Sequence, residues 1–85
     1  MKEQEEHIIM YELSDKLNLI GFTDADMIIT HLFDDKPMVE FEFDTIHYTI
    51  KGTDMNIHRI RNVDLKDVIK IKEFTVDIFK KYKLI

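Results

Sequence analysis

The chain has 85 residues, of which 45% are hydrophobic and 11% aromatic, so it can form one small domain with a single core and is not intrinsically disordered in composition. Cysteine is absent, which excludes disulfide bridges and thiolate metal sites and fits a reducing, cytoplasmic environment. The N-terminal stretch MKEQEEHIIM is acidic and has no long apolar run, so we expect neither a signal peptide nor a membrane span.

The net charge of −5 is distributed unevenly along the chain. Residues 1–54 carry four basic and thirteen acidic groups, a net charge of −9, whereas residues 55–85 carry eight basic and four acidic groups, a net charge of +4. Such an asymmetry bears on association and steering rather than on the fold. Either the two halves face each other within one domain, or the acidic part meets the basic surface of a partner.

The first predicted element is a helix from about Lys2 to Ile20. Its apolar residues recur at helical spacing on one face, and Gly21 stands where a left-handed C-terminal cap belongs. The residues of that face are Ile9, Met10, Leu13, Leu17 and Ile20.

The next segment, Met27 to Phe33, allows two interpretations. Thr23 and Asp26 resemble a capping box, which would favour a helix. The β-branched run Ile-Ile-Thr and the turn sequence of residues 34–37, Asp-Asp-Lys-Pro, favour a strand, and this is the prediction we adopt.

The stretch PMVEFEFDTIHYTI, residues 37–50, alternates apolar and polar residues and reverses its phase at Asp44-Thr45. A two-residue hairpin loop at this point places Phe41 opposite Tyr48, and every large apolar residue then lies on one face. That face should be core and consists of Val39, Phe41, Phe43, Ile46, Tyr48 and Ile50.

The remaining elements are a turn at residues 51–54, an edge strand MNIHRIR and a C-terminal helix that Asp64 can cap. The helix would be apolar on two faces, one with Leu65, Val68, Ile69, Val76 and Phe79 and a second with Ile71, Phe74, Ile78 and Tyr82. Alternatively, the segment VIKIKEF, residues 68–74, is a strand of a small β-barrel. We predict one domain, residues 1–85, of the α+β class, with an N-terminal helix, an antiparallel meander of three or four strands and a C-terminal helix.

Chemistry-bearing residues gather on the side of the hairpin away from the aromatic rings. Glu40 and Glu42 would lie there with His47, and pairing of the first strand would bring His31 opposite Glu40. Two imidazoles and two carboxylates could form a metal or general acid/base site, but no spacing motif supports one, and we favour cross-strand ion pairing on a solvated sheet face. Since no P-loop, dinucleotide fingerprint or nucleophile–base motif is present, the sequence predicts no catalytic site, no metal and no cofactor.

The same face predicts a surface for a protein partner. Apolar residues beside carboxylates can orient and hold a basic surface, unless a helix covers them. The predicted partner-binding residues are Met27, Ile29, Phe33, Asp34, Asp35, Met38, Glu40 and Glu42.

We therefore expect a small acidic, non-catalytic binding protein that occupies a basic surface of another macromolecule, as an inhibitor or adaptor. Its length, acidity and order of elements are typical of accessory proteins of phages and mobile elements. The doubly apolar C-terminal helix also predicts a homodimer. The alternative is a DNA-binding regulator that uses Arg59, Arg61, Lys66 and Lys70, although acidic residues interrupt the lysines and make nucleic acid a less favoured partner.

Overall fold

The computed structural model describes the backbone of residues 2–23, 27–32 and 36–85, and the side chains of residues 6–23 and 36–85. The predicted α+β fold is confirmed, with two helices flanking four strands in the described ranges. In chain order the elements are α1 (Lys2–Leu19), β1 (Met27–Leu32), β2 (Pro37–Glu42), β3 (Ile46–Lys51), β4 (Asp54–Ile60) and α2 (Leu65–Lys81).

The β2–β3 hairpin has the predicted register. Phe41 pairs with Tyr48 and Val39 with Ile50, so the large apolar side chains share one face, as side-chain alternation requires. We call this the inner face of the sheet, and all its predicted residues are buried: Val39, Phe41, Phe43, Ile46, Tyr48 and Ile50.

The two hairpin loops of β3 differ in backbone geometry. Neither Asp44 nor Thr45 has a positive φ, so their loop lacks the primed turn geometry common in two-residue hairpins. A backbone bond from Phe43 N to Ile46 O, 2.8 Å long, closes it. Gly52, by contrast, has a φ of 61°, as in hairpin turns that place glycine at the first loop position.

The four strands form an antiparallel sheet in sequence order, with β1 and β4 at its edges. The segment Met27–Leu32 is a strand, as predicted, and β4 is the expected edge strand. The barrel alternative is wrong, because residues 65–81 form a helix and not a further strand. The pairing of β3 with β4 shifts by one residue, since Tyr48 pairs with Ile57 whereas His47 pairs with Arg59. His58 is therefore the extra residue of a β-bulge.

Both helices end in the same way. Gly21 has a φ of 98°, and the next residue, Phe22, donates from its backbone to Leu17 O at 2.9 Å. At the end of α2, Lys83 has a φ of 59°, and Leu84 donates to Phe79 O at 2.8 Å. These are Schellman caps, for which glycine is the favoured residue, and only the first was recognisable from the sequence. Asp64 precedes α2 as predicted but makes no side-chain capping bond.

The core lies between the inner face of the sheet and both helices. Helix α1 contributes Ile9, Leu13 and Leu17 to it. Helix α2 contributes one stripe that combines residues of both predicted faces, Val68, Ile71, Ile78 and Phe79, with Thr75, which belonged to neither. Leu65 and Ile69, predicted to lie on an apolar face, are 74% and 56% exposed. One helix can bury only one stripe against a single sheet, so Leu65 and Ile69 remain at the surface.

Candidate functional site

The side of the sheet opposite the core carries most of the polar and charged side chains that strands β2, β3 and β4 bring close together. We call it the outer face; it includes Met38, Glu40, Glu42, His47, Thr49, His58 and Arg59. Because both helices pack against the inner face, none of the described elements covers the outer face. The side chains there are partly or fully exposed.

His47 is the centre of a group of polar side chains on the outer face. Its Nε2 lies 2.7 Å from Oε2 of Glu40, and its Nδ1 lies 3.6 Å from Oε2 of Glu42. The pairing of Glu40 with Thr49 and of Glu42 with His47 explains this arrangement, since adjacent residues on one face of a sheet lie within side-chain reach. Two carboxylates therefore flank one imidazole, each near a different ring nitrogen.

His58 joins this group from β4. Its Nε2 lies 2.8 Å from Oγ1 of Thr49, and its ring centroid lies 4.7 Å from that of His47. The bulge is the cause, because the extra residue allows His58 and Arg59, consecutive in sequence, both to contact the outer-face group. Glu40, His47 and His58 each present a ligand atom, and these three atoms lie within 4.8 Å of one another.

Arg59 is held by two neighbours. Its Nη2 donates to the carbonyl oxygen of Phe43 at the β2–β3 loop, and its Nη1 lies 3.8 Å from Oε2 of Glu42. Its Nε is buried and has no hydrogen-bond partner in the described part of the chain. The guanidinium thus supports the hairpin loop and offsets part of the negative charge of the outer face.

The predicted partner-binding set falls into three groups. Met38, Glu40 and Glu42 lie on β2, where their side chains are partly exposed. Met27 pairs with Glu42 and Ile29 with Glu40 in the β1–β2 register. The others, Phe33, Asp34 and Asp35, lie outside the described residues.

The prediction that His31 lies opposite Glu40 is wrong. His31 pairs with Met38, and Ile29 is the partner of Glu40. The register depends on the connection between β1 and β2, and Leu32 pairs with Pro37 rather than with a later residue. The shift is two residues along the strand, so it changes the partner of His31 without changing the alternation.

The predicted nucleic-acid residues are divided between the two layers of the fold. Arg59 belongs to the outer face, whereas Lys66 and Lys70 are exposed on α2, which packs against the inner face. Arg61 follows β4 and is exposed. On α2 the row of Lys66 and Lys70 continues at helical spacing with Glu73 and Asp77, so the charge alternates in sign along the helix.

A second polar cluster connects the helices. Glu12 on α1 accepts hydrogen bonds from the hydroxyl of Tyr82 and from Nζ of Lys81, the latter at 3.1 Å. The Tyr82 hydrogen bond, followed by the hydrogen bond and charge of Lys81, lowers the pKa of Glu12 against the opposing effect of burial. The hydrogen bonds that Tyr82 and Lys81 donate to Glu12 in turn raise the pKa of Tyr82 and that of Lys81. This cluster ties α1 to the C-terminal end of α2.

Sequence reasoning missed His58 as a member of the outer-face group and treated it as a residue that guards an edge strand. The available signal was the pairing of β3 with β4, which brings MNIHRIR beside His47. That signal was insufficient, because regular alternation cannot reveal which residue forms a bulge.

Comparison of the chain with protein-family models, with curated proteins and with solved structures finds no significant match. Among the described residues, neither helix has the length and apolarity needed to cross a membrane.

Proposed function

We propose that this protein is a non-catalytic binding protein whose outer face engages a basic surface of another macromolecule, as an inhibitor or adaptor in a reducing compartment. The observation that carries the proposal is the placement of both helices on the inner face. The outer face, with Glu40 and Glu42 beside Met38, is left without a covering element among the described residues.

The charge of the chain supports a basic partner. The net charge is −5, and the acidic excess lies in residues 1–54, which include β2 and most of the sheet. Carboxylates on a rigid sheet steer a positively charged partner, and neighbouring apolar side chains supply short-range contacts. Arg59 offsets part of this charge and His47 forms a hydrogen bond with Glu40, so we propose a mixed polar and apolar contact surface and not a purely acidic one.

A capture experiment with charge-matched variants tests this function. The tagged protein is incubated with host lysate, with and without nuclease, and retained proteins are identified by mass spectrometry. We expect a basic protein to be retained by the wild type and lost with Glu40→Lys/Glu42→Lys. The control is Asp15→Lys/Asp64→Lys, which changes the net charge equally at exposed positions away from the outer face.

The outcomes separate specific binding from simple charge attraction. Capture that survives Glu40→Lys/Glu42→Lys contradicts the proposal, and so does capture that both variants abolish equally. A shift of duplex DNA with a steep salt dependence, lost in Arg59→Ala/Arg61→Ala, would instead support the DNA-binding alternative. Circular dichroism of each variant confirms that the fold is retained.

We also propose that the protein forms a homodimer through a groove beside α2. An open groove of about 670 Å³ lies beside α2, and two apolar residues of the helix, Ile69 and Val76, line it. Charged residues of α2 with both signs and two residues at the β3–β4 turn complete the lining: Lys72, Glu73, Asp77, Lys80, Thr53 and Asp54. A two-fold interface must be complementary to itself, and mixed charges around an apolar strip satisfy this condition.

Light scattering after size exclusion tests the dimer. We expect twice the monomer mass for the wild type at high micromolar concentration and the monomer mass for Ile69→Lys. Leu19→Lys, at an exposed position at the end of α1, serves as the control and should remain dimeric. A monomeric wild type, or dissociation of both variants, would rule out this interface.

A further inference from the structure

We propose that Glu40, His47 and His58 form a binding site for a divalent transition-metal ion of the Zn²⁺ type. The inference goes beyond the proposed binding function and rests on three features of the outer face: convergence of the ligand atoms, contacts that orient both imidazoles, and access from solvent.

The three side chains come from three adjacent strands. Glu40 lies on β2, His47 on β3 and His58 on β4, so the sheet fixes all three backbone positions. The bulge that inserts His58 brings a second imidazole to the group, and the three ligand atoms lie within 4.8 Å of one another. Zn²⁺ bound at about 2.0–2.1 Å from each ligand requires ligand separations of about 3.3 Å. The ligand atoms of Glu40 and His47, which lie 2.7 Å apart, must therefore move slightly apart to bind the ion. Any two ligand atoms that are more than about 3.3 Å apart must move closer, which rotation of the side chains allows.

The surroundings of the His47 imidazole resemble those of a metal-bound histidine. A ligating histidine usually directs its other ring nitrogen to a carboxylate or carbonyl oxygen, which fixes the tautomer and the ring orientation. When Nε2 of His47 ligates the metal in place of its bond to Glu40, its Nδ1 faces Glu42 at 3.6 Å. Nε2 of His58 lies 2.8 Å from Oγ1 of Thr49, and this contact orients the second ring.

The donor set determines the class of metal. Two imidazole nitrogens and one carboxylate oxygen favour Zn²⁺, Ni²⁺ or Cu²⁺, whereas Ca²⁺ and Mg²⁺ prefer sites made entirely of oxygen ligands. The side chains of Glu40 and His47 are each 22% exposed and His58 is exposed, so an ion can reach the group from solvent. Three protein ligands leave the fourth tetrahedral position for a water molecule or a residue of a partner.

Isothermal titration calorimetry with Zn²⁺ on the untagged protein tests the site. We expect binding of one ion per chain, with affinity reduced at least 100-fold in His47→Ala and in His58→Ala. Glu42→Gln should weaken binding about tenfold, because it removes a carboxylate that orients His47 without being a ligand. Mg²⁺ at the same concentration should give no binding.

The other histidines serve as controls. His7→Ala alters an exposed histidine on α1 and should leave the Zn²⁺ affinity unchanged. Circular dichroism of the variants without metal separates loss of a ligand from loss of the fold. The proposal is wrong if the wild type does not bind Zn²⁺, if binding persists in His58→Ala, or if His31→Ala reduces it as strongly as His58→Ala does. Because Zn²⁺ binding is measured without a macromolecular partner, its outcome is independent of the proposed protein–protein contact.

Discussion

The two faces of the β2–β3 hairpin have the same backbone and opposite chemistry. On the inner face, Phe41 and Tyr48 are 0% exposed and their rings stack with centroids 5.5 Å apart. On the outer face, Glu40 and His47 remain 22% exposed and interact through a hydrogen bond. Burial of apolar area stabilises the inner face, whereas partly exposed polar contacts contribute little net free energy. The inner face thus determines whether the chain folds, and the outer face is available for binding.

The largest expected effect comes from truncation of the inner face. Phe41→Ala removes a fully buried ring, leaves a cavity beside Tyr48 and Phe43, and should lower the free energy of unfolding by about 3–5 kcal/mol. Urea titration measures this change. The neighbouring outer-face variant Glu42→Gln should stay within about 0.5 kcal/mol of the wild type. Similar losses for both variants would show that the two faces do not differ as described.

A smaller effect is expected for Arg59, which has a structural role on the outer face. Arg59→Met keeps the apolar stem but removes the hydrogen bond to the Phe43 carbonyl and the contact with Glu42. A hydrogen bond to a charged group contributes about 1.5–3 kcal/mol. The side chain is 39% exposed and its Nε is buried without a partner in the described part of the chain, so we expect a loss of about 1 kcal/mol.

Arg61 is the matched control for this experiment, because it is exposed and two residues further along the chain. Arg61→Met should change the stability by less than about 0.5 kcal/mol. Equal losses in the two variants would contradict a specific role for Arg59 at the hairpin loop.

The two faces also differ in how far the sequence predicts them. The phase reversal at Asp44-Thr45 predicts the inner face because side-chain alternation and the hydrophobic effect depend only on local order. The outer-face group depends on the β3–β4 register, and there a one-residue bulge at His58 overrides the alternation. The partner of His31 was missed for a related reason, since the length of the β1–β2 connection sets that register. Likewise, periodicity showed that α2 is apolar on two sides but not which stripe would pack on the sheet.

Tyr48 is the one residue among the six predicted for the inner face whose side chain carries a polar atom. Removal of that atom should therefore raise the stability of the protein, whereas Phe41→Ala should lower it. Its hydroxyl is buried and has no hydrogen-bond partner within the described ranges. An unsatisfied buried polar group is destabilising, so Tyr48→Phe should raise the free energy of unfolding by up to about 1 kcal/mol. Destabilisation in urea titration at pH 7 would mean that the hydroxyl contributes favourably to the core.

The same variant should alter the alkaline pH dependence. Burial raises the pKa of the Tyr48 hydroxyl above its ordinary value. Above about pH 10 the unfolded chain therefore loses this proton while the folded chain retains it, and stability falls as the pH rises. Tyr48→Phe removes this contribution, so its stability should decline less steeply than that of the wild type between pH 9 and pH 11, a range chosen to bracket the ordinary tyrosine pKa of about 10.

The smallest expected effect concerns the cluster of Glu12, Lys81 and Tyr82, which belongs to neither face of the sheet. A variant there shows how much one polar contact between the helices contributes to stability. The hydrogen bond from Tyr82 is the main cause of the lowered pKa of Glu12, with Lys81 adding to it. A carboxylate with a lowered pKa contributes stability above its unfolded value of 4.5, and that contribution is lost as the pH falls through the folded pKa. Tyr82→Phe should therefore raise the pKa of Glu12 and move the acid-unfolding midpoint slightly to higher pH.

Circular dichroism during acid titration gives the midpoint, and NMR titration of the Glu12 carboxyl group gives its pKa. Tyr11→Phe is the control, because Tyr11 is an exposed tyrosine on the same helix as Glu12. The effect should be small because exposed ion pairs and hydrogen bonds are screened by solvent. A Glu12 pKa that is unchanged by Tyr82→Phe would mean that the hydroxyl does not hold the carboxylate in solution, and that α1 and the end of α2 are joined by apolar packing alone. A midpoint shift as large in Tyr11→Phe as in Tyr82→Phe would attribute the effect to helix α1 itself and not to its contact with α2.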